Sequence, residues 1–114
     1  MSYSKTANAT LNILIRDGRI YSLDAASIHK KFLVKGGAAT SYAGTLYYND
    51  SDDLSGNQVG ATSTDSNNRA VVTFTKGTTE IAKFVKLTQM TPAAADSPSD
   101  PVTPKDNAGA WSDV

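Results

Sequence analysis

Glu80 is the only glutamate in the chain. That restricts the architecture more than any motif does. Exposed helix faces are ordinarily written with Glu, Lys, Gln, Arg and Leu, whose straight side chains lose little rotamer freedom there. The other ten of the eleven acids are Asp, and they come with twelve Ser, thirteen Thr and seven Asn. These residues suit strands, turns and loops. In 114 residues, room for one domain at most, the expectation is a mainly β fold, a small antiparallel sandwich or barrel.

Alternation places the strands. Leu11, Ile13 and Ile15 fall on one face with Thr10, Asn12 and Arg16 opposite, while Leu14 breaks the pattern. Asp17-Gly18 then signals a hairpin, because a type I′ turn wants φ > 0 at both central residues, and Ile20, Tyr21 and Leu23 form the returning strand. A short helical turn at about 24–28 runs into a strand at about 30–35, and Thr45-Leu46-Tyr47-Tyr48 reads as another strand. Residues 49–68 hold only Leu54 and Val59 as sizeable apolar groups and read as a long polar loop. Arg69–Thr75 is a β-branched strand and Lys76-Gly77 its turn. For residues 80–90 a helical face (Ile81, Phe84, Val85, Thr88) competes with alternation (Phe84, Lys86, Thr88, Met90), and the hairpin context favours a strand.

The ends differ from this β domain, which spans 9–90. Residues 1–8 read as a polar N-terminal arm, and 91–114, which hold all four prolines, as an extended Pro-rich C-terminal arm. No internal repeat is detectable. The expected core is Leu11, Ile13, Ile15, Ile20, Phe32, Leu33, Val34, Leu46, Val72, Phe74, Phe84, Val85 and Leu87.

Composition excludes much chemistry. With no cysteine and one histidine there is no disulfide scaffold, thiolate metal site or histidine cluster. Eleven basic and eleven acidic groups balance, so nothing draws the chain to nucleic acid or an anionic membrane. Asn49–Gly56 resembles a calcium loop, but Leu54 occupies its fifth position and no bidentate Glu follows, so a solvated acidic loop is the reading and no metal or cofactor is expected. His29-Lys30-Lys31 reads as a solvated strand face or an inter-subunit salt-bridge surface. No nucleophile elbow surrounds a serine near which His29 might act as base. Gly36-Gly37-Ala38-Ala39 matches neither a phosphate loop nor a dinucleotide fingerprint, so an enzyme is not expected. Met1–Lys5 leads into polar residues with no long apolar run, so no signal peptide is expected, and the protein is made and used in a cytoplasm or leaves by a route that needs none, such as cell lysis. Trp111 divides two readings: folded back on its own domain, or inserted as an anchor in a neighbour, a role in which Tyr3 would join it.

The polar stretch Ser2–Asn8, the β segments between Ala9 and Met90 and the tail Pro92–Val114 together resemble the capsid decoration, or cement, proteins of tailed bacteriophages. The resemblance implies a β-rich module of the virion that binds the major capsid protein and copies of itself, stabilises the shell and performs no chemistry. A principal coat or tube protein of a virus or filament is the structural alternative. A glycan- or receptor-binding β module is another, with Tyr42, Tyr47 and Tyr48 as its aromatic platform.

Overall fold

The computed structural model describes residues 3–34, 39–66, 69–86 and 102–114. Its strands are β1 (Lys5–Leu14), β2 (Arg19–Ala25), β3 (Lys30–Leu33), β4 (Thr40–Tyr48), β5 (Gly56–Thr64), β6 (Ala70–Lys76), β7 (Thr79–Lys86) and β8 (Lys105–Asp113). Among the described residues these eight close into a barrel in the order β1-β2-β3-β8-β5-β6-β7-β4. Every neighbouring pair is antiparallel. The mainly β expectation therefore resolves to a barrel. Closure also removes the free strand edges that a neighbour's arm would need for pairing.

The order contains two Greek keys. β4 lies beside β1 in the set 4-1-2-3, and β8 lies beside β5 in the set 8-5-6-7. One interlock recurs in both. Gly44 of β4 sits diagonally from Phe84 of β7, and a Cβ there would lie 2.3 Å from the ring's Cζ. Gly109 of β8 sits diagonally from Phe32 of β3, and a Cβ there would lie 2.7 Å from that ring's Cζ. Each glycine thus leaves the volume that a phenylalanine of the other key fills. The sequence keeps a trace of the correspondence in Ala43-Gly44 against Ala108-Gly109 and in Lys31-Phe32 against Lys83-Phe84. It was not detectable as a repeat because little else matches.

The first hairpin forms as expected, with a different turn. Residues Ile15–Asp17 make one turn of 3-10 helix, and only Gly18 takes a positive φ, +63°. The connection is thus four residues long instead of two. A register shift between Asn12 and Ile13 leaves Tyr21 as an extra residue on β2, which lets Ile20 and Leu23, three apart, both face inward with no exposure. The helical turn expected at 24–28 is a 3-10 turn over Ala26–Ile28, closed by His29 at φ 57°. Residues Thr79–Lys86 are strand, and Leu87 to Met90 lie outside the described residues.

Three expectations are corrected. The loop 49–68 contains β5, whose inward positions are Gln58, Gly60 and Thr62. The neighbours supply the missing bulk: Ile20, Val72 and Phe74 all come within 3.3 Å of where a Gly60 Cβ would stand. The C-terminal arm contains β8, with Asn107 and Trp111 buried and pointing inward; residues 87–101 lie outside the described residues. The N-terminal arm is shortened because Lys5–Asn8 already pair with β4, from Lys5↔Tyr48 to Asn8↔Thr45.

Of the expected core, Leu11, Ile13, Ile20, Phe32, Leu46, Val72, Phe74 and Phe84 are wholly buried. Val34 packs partly against the core and Val85 is half-buried, whereas Leu33 faces outward and is 56% exposed, because it alternates with Phe32. Ile15's side chain and Leu87 lie outside what is described. Leu23, Leu54, Tyr42, Tyr48 and Trp111 complete the interior. An eight-stranded barrel is just wide enough for its own side chains to fill it.

Candidate functional site

Trp111 belongs to the interior. Its ring centroid lies 5.3 Å from Phe32 and 5.1 Å from Phe74, and those two rings meet edge to face at 4.9 Å. The indole Nε1–H donates to Gln58 Oε1 at 2.8 Å, and Gln58 Nε2 donates in turn to the carbonyls of Asp53 at 2.8 Å and Ser55 at 3.2 Å. The ring is 5% exposed and is no anchor for a neighbour, which corrects that expectation. β pleating explains the placement, since 107, 109 and 111 share one face.

Asn107 is the interior polar residue that sequence reasoning missed. Its Oδ1 accepts from the Ile20 backbone N–H at 3.1 Å, and its Nδ2 donates to the Gly18 carbonyl at 3.0 Å and the Gly60 carbonyl at 3.1 Å. One side chain thereby joins β8, β5 and the first hairpin. The strand-period relation to Trp111 was the only signal available for it.

Tyr3 is engaged within the chain. Its hydroxyl donates to the Glu80 carboxylate on β7, and the Ser4 N–H donates to Asn49 Oδ1 at 2.9 Å. Desolvation, and then the accepting Glu80 carboxylate, hold the Tyr3 pKa above its ordinary value of 10.0. At the other terminus the Val114 N–H donates to the His29 carbonyl at 3.0 Å, and Lys30 Nζ meets Asp113 at 2.5 Å. Both ends of the described chain are therefore tied to the same end of the barrel.

The remaining sequence candidates disperse. Asp50 Oδ1 accepts from the Asp52 N–H at 2.9 Å, capping the 3-10 turn Ser51–Asp53, while wholly buried Leu54 plugs the barrel end. Among the described residues no three His, Cys, Asp or Glu side chains gather as a metal group. Lys30 and Lys31 meet carboxylates of adjacent strands, Asp113 and, at 3.7 Å, Asp24. The tyrosine platform does not form. Tyr42 and Tyr48 point inward at 3% and 6% exposure, and Tyr47 alone of the three faces out.

Two features of the outer wall remain as candidates. A groove of about 490 Å³ beside β1 and β4 is lined by Asn8, Thr10, Asp24, Ala26, Ser27 and Ala43 among others. On the far side, β3, β8 and β5 present Leu33, Ala110, Ala108 and Val59 to solvent or half-buried. With the interior filled, recognition by this barrel falls to its outside. Comparison with family profiles, with curated proteins and with solved structures finds no match.

Proposed function

We propose that this chain is a non-enzymatic structural protein of a virus particle, a decoration or cement protein that binds capsid protein and stabilises the shell. The observation that carries the reading is a closed barrel whose interior is filled by its own side chains. That leaves an outer wall of short, mostly uncharged groups (Asn8, Thr10, Thr45, Thr73, Ala61, Ala108) as its means of contact. A wall of this kind suits protein contact across a broad surface. An apolar interior under a polar wall is also the reverse of a transmembrane barrel, whose apolar band faces outward. The scattering of Tyr42, Tyr47 and Tyr48 weighs against the glycan-binding alternative.

Antibody labelling of purified particles from the producing cells tests this reading. The expected result is regular labelling of shells that also contain a distinct, more abundant capsid protein. Particles built from this chain alone would make it a principal coat protein. Recovery only as free protein, with no labelled particles, would overturn the virion reading.

A further inference from the structure

We propose that the groove of about 490 Å³ beside β1 and β4 binds a short neutral saccharide, with Asn8, Thr10, Asp24 and Ser27 as its polar contacts. The inference goes beyond the shell-binding role and makes no use of the tyrosines. The volume falls within the range of small-molecule sites, about 300–1,000 Å³. Among the described residues nothing else bonds to the side chains of Asn8, Thr10 and Ser27. Hydroxyl and carboxamide groups both donate and accept, so these three match the mixed donors and acceptors of a sugar's hydroxyls. Ala26, Ala43 and Gly44 keep the rest of the lining short, which lets the C–H face of a ring approach.

Asp24 is held ready for such a contact. Its Oδ2 accepts from Asn12 Nδ2 at 3.2 Å, and its Oδ1 lies 3.7 Å from Lys31 Nζ. Asn12 is fixed in turn, since Nδ2 also donates to Ser22 Oγ at 2.8 Å and Oδ1 accepts from Ser41 Oγ at 2.5 Å. Side chains from β4, β1, β2 and β3 thus set the position of one carboxylate before any ligand arrives. Each carboxylate oxygen has a second lone pair, so both keep room for a ligand hydroxyl. Asp24 is the one charged residue lining the groove, and Lys31 offsets it. That balance disfavours an anion, which would face the carboxylate, and leaves a cation little net charge to meet. A neutral ligand rich in hydroxyls fits both conditions.

The repeated Greek keys supply an internal comparison. Matching Gly44 to Gly109 makes Val59 the counterpart of Thr10, Ala61 of Asn12, Thr73 of Ser22 and Thr75 of Asp24. The second key therefore builds the same wall without the carboxylate or the carboxamide that holds it. The connections differ as well. The second key turns from β6 to β7 through Gly77-Thr78, with Gly77 at φ +66°. The first uses Ala26–His29, sets its 3-10 turn against β1 and takes a φ of 57° at His29, a conformation that residues other than glycine seldom adopt. Ala26 and Ser27 of that longer turn line the groove. The fold closes without either feature in its second half, and a ligand site in the first accounts for both.

The test is saturation-transfer NMR titration of the full chain with glucose, galactose, mannose, N-acetylglucosamine and lactose, and with glucose 6-phosphate and spermidine as charged comparators. The expected result is binding of at least one neutral saccharide, more tightly than either comparator. Asp24→Thr, which copies the counterpart wall, should weaken that binding about tenfold or more, as loss of a hydrogen bond to a charged group does. Thr10→Val should weaken it too, and so should Ala43→Leu, which fills the groove from an exposed position. Ala108→Leu on the counterpart wall should leave it unchanged, and melting curves check that each variant is folded. No transfer to any of the five saccharides overturns the proposal. Tighter binding of a charged comparator also overturns it, as does saccharide binding that survives both Asp24→Thr and Ala43→Leu. Particle labelling is a separate measurement, so failure of this site leaves the virion reading standing.

Discussion

Replacing Trp111 by alanine withdraws the indole from between Phe32 and Phe74 and deprives Gln58 Oε1 of its donor. Truncating a buried tryptophan costs about 3–5 kcal/mol. Leaving a buried acceptor unsatisfied adds about 1–3 kcal/mol. The sum, about 4–8 kcal/mol, is comparable to the whole stability of a small domain, roughly 5–15 kcal/mol. Trp111→Phe isolates the polar part, since it keeps a ring and loses the N–H; it should cost about 1–3 kcal/mol. At about 4 °C per kcal/mol for a chain of this size, that lowers Tm by about 4–12 °C. Urea titration followed by circular dichroism reads both variants, because tryptophan fluorescence is lost with the residue. Combining Trp111→Phe with Gln58→Met should reveal a coupling of about 0.5 kcal/mol or more, as for other contacting pairs. An alanine variant as stable as the parent would refute the reasoning and return residues 105–113 to the role of an arm.

Other outcomes follow from the same geometry. Asn107→Leu orphans a backbone N–H and two carbonyls and should destabilise by about 3 kcal/mol or more, read by urea denaturation. Gly44→Ala and Gly109→Ala should each cost about 1–3 kcal/mol by overpacking, and to a similar extent, in thermal melts. The raised Tyr3 pKa means the folded state holds that proton more tightly than the unfolded one. Its contribution to stability is therefore complete below pH 10.0 and falls as pH climbs beyond, so Tyr3→Phe should flatten the alkaline limb of stability against pH. Asp50→Ala should cost about 1 kcal/mol through the lost cap, by an amount that added Ca²⁺ does not change in a melting assay.

What the sequence disclosed, and what it hid, follows from which side chains fill the interior. β1, β6 and β7 are built with Leu11, Ile13, Val72, Phe74 and Phe84 facing inward, and simple alternation finds them. β5 and β8 face inward with Gln58, Gly60, Thr62, Asn107, Gly109 and Trp111, so a single large apolar residue carries their period-2 signal and they read as loop and tail. The other five positions are polar or empty because neighbouring rings and backbone groups occupy the space or need a hydrogen-bond partner. Leu33 misled in the other direction: placed between Phe32 and Val34 it looks like core, yet pleating turns it outward. Of the two expected anchors, neither sequence position revealed that Tyr3 meets Glu80 and Trp111 meets Gln58, since those contacts depend on the closure of the barrel.

β8 lies between β3 and β5 but follows both in the chain. On a ribosome, then, the other strands emerge before the one that completes the wall. Until it arrives, β3 and β5 expose unpaired backbone to each other across a gap, and the cradle of Phe32 and Phe74 stands open to water. Contacts between partners so distant in sequence form slowly, because loop-closure entropy must be overcome before they repay it. The interval before β8 inserts is accordingly the chain's period of greatest exposure to aggregation, when another copy's β8 can enter the same slot. Fast, faithful insertion of residues 105–113 decides between a barrel closed by its own strand and a strand-exchanged tangle.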